Sequence, residues 1–215
     1  MQPGNDANPL GVDVSQYQGQ PDWDAVRRAG KSFAVCRVTY GTREDPELAY
    51  NYPRIKAAGL VRGTYHFAEP GRTSGNVAKD AQTQAATFLA AVDRLGGIVG
   101  GDLPPALDLA GGDGSLPSEE LVEWCLHWMD DVNAAVKNPK QAAILYATYA
   151  TIQGLGANAD RLSTRGLWIA RWDPFGSPPD VGPWTRWTMW QYSSTGSVPG
   201  ISGAVDLDEW HTTLP

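Results

Sequence analysis

Residues 33–67, FAVCRVTYGTREDPELAYNYPRIKAAGLVRGTYHF, decide the fold class of this chain of 215 residues. The segment begins with an apolar, β-branched run at 33–39, which is typical of a buried strand, and ends with a second predicted strand at 61–67. Between them, residues 47–58 have the pattern of a helix, and Gly59 follows at the position where helices commonly end in a left-handed residue. A strand, a helix and a strand in this order predict a parallel β/α unit whose helix packs outside the sheet.

The same alternation continues on both sides of this segment. At least five β/α units fit before residue 160, and the helical period disappears after it. We therefore expect an α/β protein of one domain, a barrel-like fold whose last part consists of strands without helices. Further strands are predicted at Leu10–Val14, Ala106–Leu109, Ala142–Ala147, Leu167–Arg171, Trp187–Ser193 and Ala204–Leu207, and further helices at Asp22–Ala29, Asn76–Leu95 and Ser118–Lys137.

The composition excludes several classes of partner. With 17 basic and 24 acidic residues, the formal net charge is -7, and phosphate contacts need a basic face, so nucleic acid is not expected. The same balance argues against docking onto an anionic membrane surface, and no run approaches the roughly 18 apolar residues of a membrane span. The 9 Trp and 8 Tyr against only 4 Phe suggest a site that stacks flat ligand faces and also forms hydrogen bonds.

Neither a metal nor a cofactor is indicated by the histidines and cysteines. His66, His127 and His211 show no metal spacing such as H-E-x-x-H. Cys36 and Cys125 lie in different segments, one on a predicted strand and one on a predicted helix. We expect two free, buried thiols, with a single bridge or a redox role as the alternatives.

Acidic residues follow three of the predicted strands. Asp13 ends the first strand, Asp108 the fourth and Asp206 the last. In α/β barrels the C-terminal ends of the strands form the active site, so the three carboxyls would converge if the barrel closes. Each one alone would also suit a turn or a helix N-cap. Together they indicate glycoside hydrolysis, which normally uses a pair of carboxyl groups at the scissile bond.

A series of sequence blocks between about residues 11 and 210 supports this chemistry. The blocks are DVSQYQ at 13–18, CRVTYG at 36–41, GLVRGTYHF at 59–67, ALDL at 106–109, LYAT at 145–148, LWIARW at 167–172 and WQYSSTGSVPGISGAVDLD at 190–208. In order and spacing, the chain resembles the family 25 glycoside hydrolases, the Chalaropsis-type N-acetylmuramidases. The resemblance implies a flattened (β/α)5(β)3 barrel. It also implies hydrolysis of the β-1,4 bond between N-acetylmuramic acid and N-acetylglucosamine in peptidoglycan.

One position departs from the family pattern. There the fourth strand ends in Asp-x-Glu and the Glu is the general acid/base, whereas this chain has Asp108, Leu109 and Ala110. General acid catalysis contributes about 10²–10⁴-fold, so we expect severely impaired activity. Three explanations stay open. The glutamate of an active enzyme has been replaced deliberately, the protein is a natural pseudoenzyme that binds peptidoglycan without cutting it, or Asp113 acts as a displaced acid.

The resemblance also implies roles for the remaining groups. Asp108 would stabilise positive charge in the oxocarbenium-like transition state, while Asp13 and Asp206 would bind the sugar, set the charge of Asp108 and position water. His66 is expected to be a hydrogen-bonded structural residue, and Arg37 to serve an internal carboxylate pair more than the substrate. The expected substrate-binding set is Tyr65, Tyr146, Trp172, Tyr40, Gln191 and Arg37.

The first residues suggest how the chain is organised. Met1–Pro9 is polar and rich in Asn, Pro and Gly, with neither the basic nor the apolar region of a signal peptide. We expect a linker remnant at 1–9 and one muramidase domain at 10–215, monomeric in isolation, with further modules possible in the full protein. A phage endolysin is favoured over an autolysin, which implies the host cytoplasm and then the cell wall. The alternative is an extracellular or cell-wall protein.

Overall fold

The computed structural model describes residues 2–110, 116–172, 177–178, 180–211 and 213–215. The helices of this part of the chain are α1 (Trp23–Arg28), α2 (Leu48–Ala57), α3 (Val77–Asp93), α4 (Ser118–Val136) and α5 (Tyr149–Leu155). The strands are β1 (Leu10–Val14), β2 (Phe33–Tyr40), β3 (Arg43–Glu44), β4 (Val61–Phe67), β5 (Ala106–Asp108), β6 (Ile144–Thr148), β7 (Leu167–Ala170), β8 (Met189–Gly196) and β9 (Val205–Trp210).

Eight of these strands close into a barrel, in the order β1, β2, β4, β5, β6, β7, β8, β9 and back to β1. Neighbouring strands run parallel from β1 to β8, and β9 is antiparallel to both β8 and β1. The short β3 lies outside the barrel, paired with β2 as a hairpin. Five strand–helix units followed by three strands confirm the predicted α/β barrel.

Apolar side chains fill both faces of the barrel wall. The inner cluster is built around Phe33, Tyr65, Tyr146, Trp168 and Trp210. The outer cluster lies between the strands and the helices, which is the layered arrangement of a parallel sheet covered by helices. The apolar side chains of α4 belong to this outer layer, since Trp124 and Trp128 are fully buried and Leu121 is partly buried.

Local capping explains where the helices begin. The side chain of Asp22 accepts a hydrogen bond from the backbone N–H of Ala25 at the start of α1, and Asn76 accepts one from Lys79 at the start of α3, as expected for N-cap residues. Asn76 is therefore the residue that starts its helix, as predicted, and Asp22 caps α1 although its predicted range began at this residue. The helix of the fifth predicted unit, for which no range was predicted, is α5. It follows β6 directly, begins at the cap Thr148, and is too short for a clear helical period.

The last strands differ most from the prediction. β9 continues to Trp210, three residues beyond its predicted end, because Glu209 and Trp210 pair with Trp190 and Met189 of β8. β6 begins at Ile144 rather than Ala142, because a 3-10 turn at Pro139–Gln141 precedes it. The edges of these elements depend on pairing partners far away in the chain, which a local pattern does not contain.

Residues 2–9 are bound to the barrel by specific hydrogen bonds. The backbone and side chain of Gln2 bond with Trp187. Asn5 and Asn8 both donate to Oε1 of Glu209, at 2.8 and 2.7 Å, and the N–H of Trp210 donates to the carbonyl of Pro9. The segment predicted to be a linker remnant therefore contacts the end of β9. The boundary between residues 9 and 10 stays a prediction.

The two cysteines are free and buried, as predicted. Burial raises the pKa of each thiol to about 12, so neither forms a thiolate readily. In the part of the chain that the structure covers, no helix is both long enough and apolar enough to cross a membrane.

Candidate active site

A cavity of about 230 Å³ opens at the end of the barrel where the parallel strands finish. Asp13, Asp108 and Asp206, which the sequence predicted to converge, all line it. The other lining residues are Ser15, Tyr17, Gln18, Arg37, Tyr65, Phe67, Ala110, Tyr146, Trp168 and Gln191. Carboxyls from the first, the fifth and the last strand thus meet in one space, which is the arrangement that acid–base chemistry requires.

Asp206 lies at this end of the barrel because of the direction of β9, which was not predicted. Asp206 was expected at the end of its strand, but it is the second residue of β9, which runs to Trp210. Because β9 is antiparallel to β1, its beginning lies at the end of the barrel where β1 finishes. Asp206 is the register partner of Asp13, so the two side chains project from neighbouring strands on the same face.

Asp108 is the most central of the carboxyls. It is the last residue of β5, and its Oδ1 accepts the backbone N–H of Ala110 over 2.8 Å. Burial raises the pKa of Asp108 to about 7, against the opposing effects of this hydrogen bond and of Arg37. Burial likewise raises the pKa of Asp206 to about 6. Near neutral pH, this site therefore holds carboxyls in both protonation states.

Ala110 lines the cavity beside Asp108 and contributes a methyl group there. A methyl group has no acidic proton, so the side chain at position 110 cannot protonate a leaving oxygen. Asp113, the candidate for a displaced acid, lies outside the described residues.

Gln191 links several of the predicted substrate-binding residues. Its Nε2 donates to Oδ2 of Asp13 over 2.6 Å, while its Oε1 accepts from the hydroxyl of Tyr146 at 2.9 Å and from Nε1 of Trp172 at 3.0 Å. Trp172 is 56% exposed and contacts this network from outside the cavity lining. The structure therefore connects Trp172 to the carboxyl site through a single amide.

The rings of Tyr65 and Tyr146 form buried walls of the cavity. Both pack edge-on against the indole of Trp168, with centroids 6.3 and 4.7 Å away. More than nine-tenths of each side chain is buried, so neither ring offers a free face of the kind that stacks on a sugar. Their place in the lining is consistent with polar contacts from their hydroxyls.

Arg37 combines an internal ion pair with a place in the lining. Its Nε lies 2.7 Å from Oδ2 of Asp45, and both side chains are buried. The same oxygen of Asp45 accepts the N–H of Gln16, which fixes the segment that carries Tyr17. Tyr40 does not line the cavity, because its ring stacks on Phe67 with centroids 4.7 Å apart.

The unpredicted residues of this region include Tyr17 in the cavity lining and Asp208 behind it. Tyr17 lines the cavity, is 78% exposed, and has its ring 5.6 Å from the guanidinium carbon of Arg37. Asp208 is fully buried and hydrogen-bonded to Trp168. The sequence held a signal for each, since Tyr17 belongs to the block at 13–18 and Asp208 lies two residues after Asp206, on the same strand face.

His66 has the structural role that was predicted. Its two ring nitrogens are hydrogen-bonded to Thr39 and Gln84, at 2.7 and 3.0 Å, and its ring stacks on Trp128. Burial lowers the pKa of His66 to about 3, so the imidazole is neutral at physiological pH. His66 does not line the cavity. Within the described ranges, no group of three or more His, Cys, Asp or Glu side chains is arranged to hold a metal ion.

Comparison with known proteins agrees with this geometry. The family model described as Glycosyl hydrolases family 25 matches residues 12–201. The chain is 30% identical over 213 residues to Lysozyme M1 of Streptomyces globisporus, covering 97% of this chain and 70% of that protein. It is 29% identical over 216 residues to the N,O-diacetylmuramidase of Chalaropsis sp, covering 91% and 95%. The bacterial lysozyme structure from Streptomyces coelicolor matches with a TM-score of 0.84 at 27% identity, covering 97% and 94%.

Proposed function

The chain belongs to family 25 of the glycosyl hydrolases, and we propose that it is a peptidoglycan N-acetylmuramidase domain whose general acid is missing. The bond it is built to hydrolyse is the β-1,4 bond between N-acetylmuramic acid and N-acetylglucosamine. One observation carries the proposal: Asp13, Asp108 and Asp206 surround a single cavity at the rim of the barrel. The related proteins named lysozyme and N,O-diacetylmuramidase support it.

Asp108 is the group best placed to act on the sugar. Glycoside cleavage develops positive charge at the anomeric carbon, and an adjacent carboxylate stabilises that charge or orients a neighbouring group that attacks. Burial raises the pKa of Asp108 to about 7, so its negative charge is weakly solvated and interacts strongly with a cation beside it. Asp13 and Asp206 complete the acidic wall that holds the sugar hydroxyls and the attacking water.

The missing step is protonation of the leaving oxygen. An alkoxide is a poor leaving group, so cleavage requires a proton donor at the glycosidic oxygen. Ala110 occupies the position of that donor in this family and contributes only a methyl group to the lining. We expect the chain to bind its substrate and to cleave it slowly or not at all.

Two aromatic side chains would hold the glycan on either side of the bond. Among the described residues, the exposed aromatic side chains are those of Tyr17 and Trp172, at 78% and 56%. Tyr17 lines the cavity and Trp172 is bonded to Gln191 in its wall. Exposed rings beside polar groups suit sugars, because a pyranose has an apolar face and polar edges. The partner would be the glycan strand of bacterial peptidoglycan, and the cell wall the place of action.

A peptidoglycan-binding pseudoenzyme is the second candidate. It is favoured by the combination of a methyl group at position 110 with an otherwise complete polar network around Asp13, Gln191 and Tyr146. Such a protein would retain the glycan and release it uncut. A phage endolysin origin stays a further proposal.

Restoring the acid tests the proposal. Ala110→Glu and the unchanged chain are compared by the fall in turbidity of purified cell walls and by the reducing ends released. Ala86→Glu, at an exposed position of α3, is the control for added charge. Clearing by Ala110→Glu alone supports the proposed muramidase, with a gain of at least about 100-fold.

The other outcomes separate the alternatives. If folded Ala110→Glu binds walls in a sedimentation assay but releases no reducing ends, the protein is a binding module. If the unchanged chain clears walls, the expected impairment is wrong, and loss of that activity in Asp113→Asn would assign the acid to Asp113. If neither protein binds or clears walls, the proposed function is wrong altogether.

A further inference from the structure

Asp208 is a fully buried carboxyl that lies directly behind the proposed active site. It follows Asp206 by two positions on β9, and its register partner on β1 is Gly11, two residues before Asp13. Side chains two residues apart on a strand project to the same face. Asp13, Asp206 and Asp208 therefore form a group on the inner surface of the barrel, with Asp208 the deepest of the three at 0% exposure.

The hydrogen bonds of Asp208 leave one of its oxygens dependent on Asp13. Oδ1 accepts Nε1 of Trp168 over 3.0 Å. Oδ2 is buried and receives no N–H or O–H donor from the other described residues. The Asp13 carboxyl lies within hydrogen-bonding reach of Asp208. Two carboxyl groups form a hydrogen bond only when one of them carries a proton, so this pair shares one.

The surroundings favour the singly protonated pair. Burial and the charges of neighbouring carboxyls raise the pKa of both groups above the ordinary range, although the hydrogen bond with Asp13 lowers that of Asp208. The net effect opposes loss of the last proton. Lys31, buried just before β2, attracts the charge of Asp208, which opposes uptake of a second proton. The titratable groups that feel the charge of Asp208 are Asp13, Asp206, Lys31, Tyr146 and Tyr192.

We propose that Asp208 is a positioning residue that keeps Asp13 protonated near neutral pH, so that Asp13 presents an uncharged carboxyl at the cavity wall. No covalent step is involved, since one proton is shared between two carboxyls with a single negative charge. The idea rests on the proposed function for its effect on catalysis, but the shared proton exists whether or not the chain cuts glycan. A third full negative charge beside Asp108 and Asp206 is thereby avoided.

Asp208→Asn tests this most directly. The amide replaces the carboxyl at nearly the same size, can still accept from Trp168, and offers Asp13 an N–H donor instead of a competing charge. Asp13 should then ionise at a much lower pH. Asp102→Asn is the matched control, since Asp102 is also a buried aspartate but pairs with Arg62 and Lys56 away from the cavity.

The first measurement needs no enzymatic activity. Carbon-13 NMR of the aspartate carboxyls in the unchanged chain should show the pair losing its last proton well above pH 5. In Asp208→Asn, the titration midpoint of the Asp13 carboxyl should fall by more than one pH unit. In Asp102→Asn, this midpoint should be unchanged. If all aspartates of the unchanged chain titrate near pH 4, or if Asp208→Asn leaves Asp13 unmoved, the proposal is overturned.

The second measurement uses the background with Glu at position 110, provided that this variant is active. There, Asp208→Asn should move the optimum of kcat/KM to a more acidic pH by at least one unit, because Asp13 regains its proton only there. A uniform loss of activity at all pH values would show that Asp208 has only a structural role. Inactivity of Ala110→Glu itself would count against the proposed function and leave the NMR result to decide on the shared proton.

Discussion

Gln191 presents the nitrogen of its amide to Asp13 over 2.6 Å, and its oxygen receives both Tyr146 and Trp172. These bonds decide which end of the amide faces the carboxyl. Gln191→Glu keeps the size of the side chain but replaces the donor with a second negative charge. We expect the free energy of unfolding at pH 7 to fall by about 1–3 kcal/mol, because a buried acceptor loses its partner.

Urea unfolding monitored by tryptophan fluorescence measures this loss. Gln82→Glu, the same change on the exposed face of α3, should alter stability by less than about 0.5 kcal/mol. If Gln191→Glu is as stable as the unchanged chain, the hydrogen bond to Asp13 contributes nothing to the free energy of unfolding.

The buried carboxyls predict that stability falls as the pH rises. Burial raises the pKa of Asp108 to about 7, whereas an unfolded chain releases such a proton near pH 4. Between these values the folded state binds more protons than the unfolded state, so stability decreases with pH, by about 1.4 kcal/mol per pH unit for one proton. Urea unfolding between pH 5 and 8 should show the decline, and Asp108→Asn should make it less steep, because the other buried carboxyls still contribute. Equal slopes in the two proteins would contradict this account.

The effect of His66 on the pH dependence of stability has the opposite sign. Burial lowers the pKa of His66 to about 3. Between pH 3 and about 6.5 the imidazole is therefore protonated in the unfolded state but not in the folded state. This group stabilises the fold fully above that window, and its contribution is lost as the pH falls through it. In a carbon–proton NMR titration, the Cε1–H signal of His66 should keep its neutral position down to about pH 4. A midpoint near 6.5 would mean that the imidazole is far less enclosed.

The exposed rings at the cavity predict the binding behaviour of the unchanged chain. Tyr17→Ala and Trp172→Ala should each weaken binding of peptidoglycan fragments about tenfold, which corresponds to about 1.4 kcal/mol. Val99→Ala removes an exposed apolar side chain elsewhere and should not change the affinity. Calorimetric titration suits the measurement, because a chain without its acid leaves the fragments uncut. Unchanged affinity in both variants would show that these two aromatic side chains do not contribute to binding of the glycan.

Two glycines should respond oppositely to alanine. A Cβ at Gly11 would overlap the ring of Phe33, whereas at Gly154, inside α5, it would meet nothing within 4 Å. Gly11→Ala should therefore destabilise the barrel by about 1–3 kcal/mol through overpacking. Gly154→Ala should stabilise it by about 0.5–1 kcal/mol through helix propensity. Thermal unfolding distinguishes the two, and a shift of the same sign in both would contradict the packing around Phe33.

Much of the fold is visible in the sequence because each β/α unit is local. The strands predicted at 33–39 and 61–67 and the helix between them can be recognised without knowing any partner. The direction of β9 cannot be recognised in this way, since only its pairing with β8 and β1 defines it. This is why the convergence of Asp206 with Asp13 was expected correctly, while the position of Asp206 within its strand was not.

The site shows the same division between local and distant information. Asp13 and Asp108 end parallel strands, which the sequence marks by an acid after an apolar run. The burial of Asp208, the exposure of Tyr17 and the stacking of Tyr40 on Phe67 depend on neighbours from other strands. Side chains of these types are common on strands and turns, and only the closed barrel distinguishes the ones that meet at the cavity.

The pairing of β1 with β9 also has a consequence for biosynthesis. Asp13 leaves the ribosome long before Asp206 and Asp208, which lie on the strand that pairs with its own. A nascent chain that has not yet released β9 has an open barrel and an acidic wall with only half of its carboxyls. Contacts between such distant segments form late in folding. A closed site that can hold a glycan therefore forms only after β9 has left the ribosome and paired with β1.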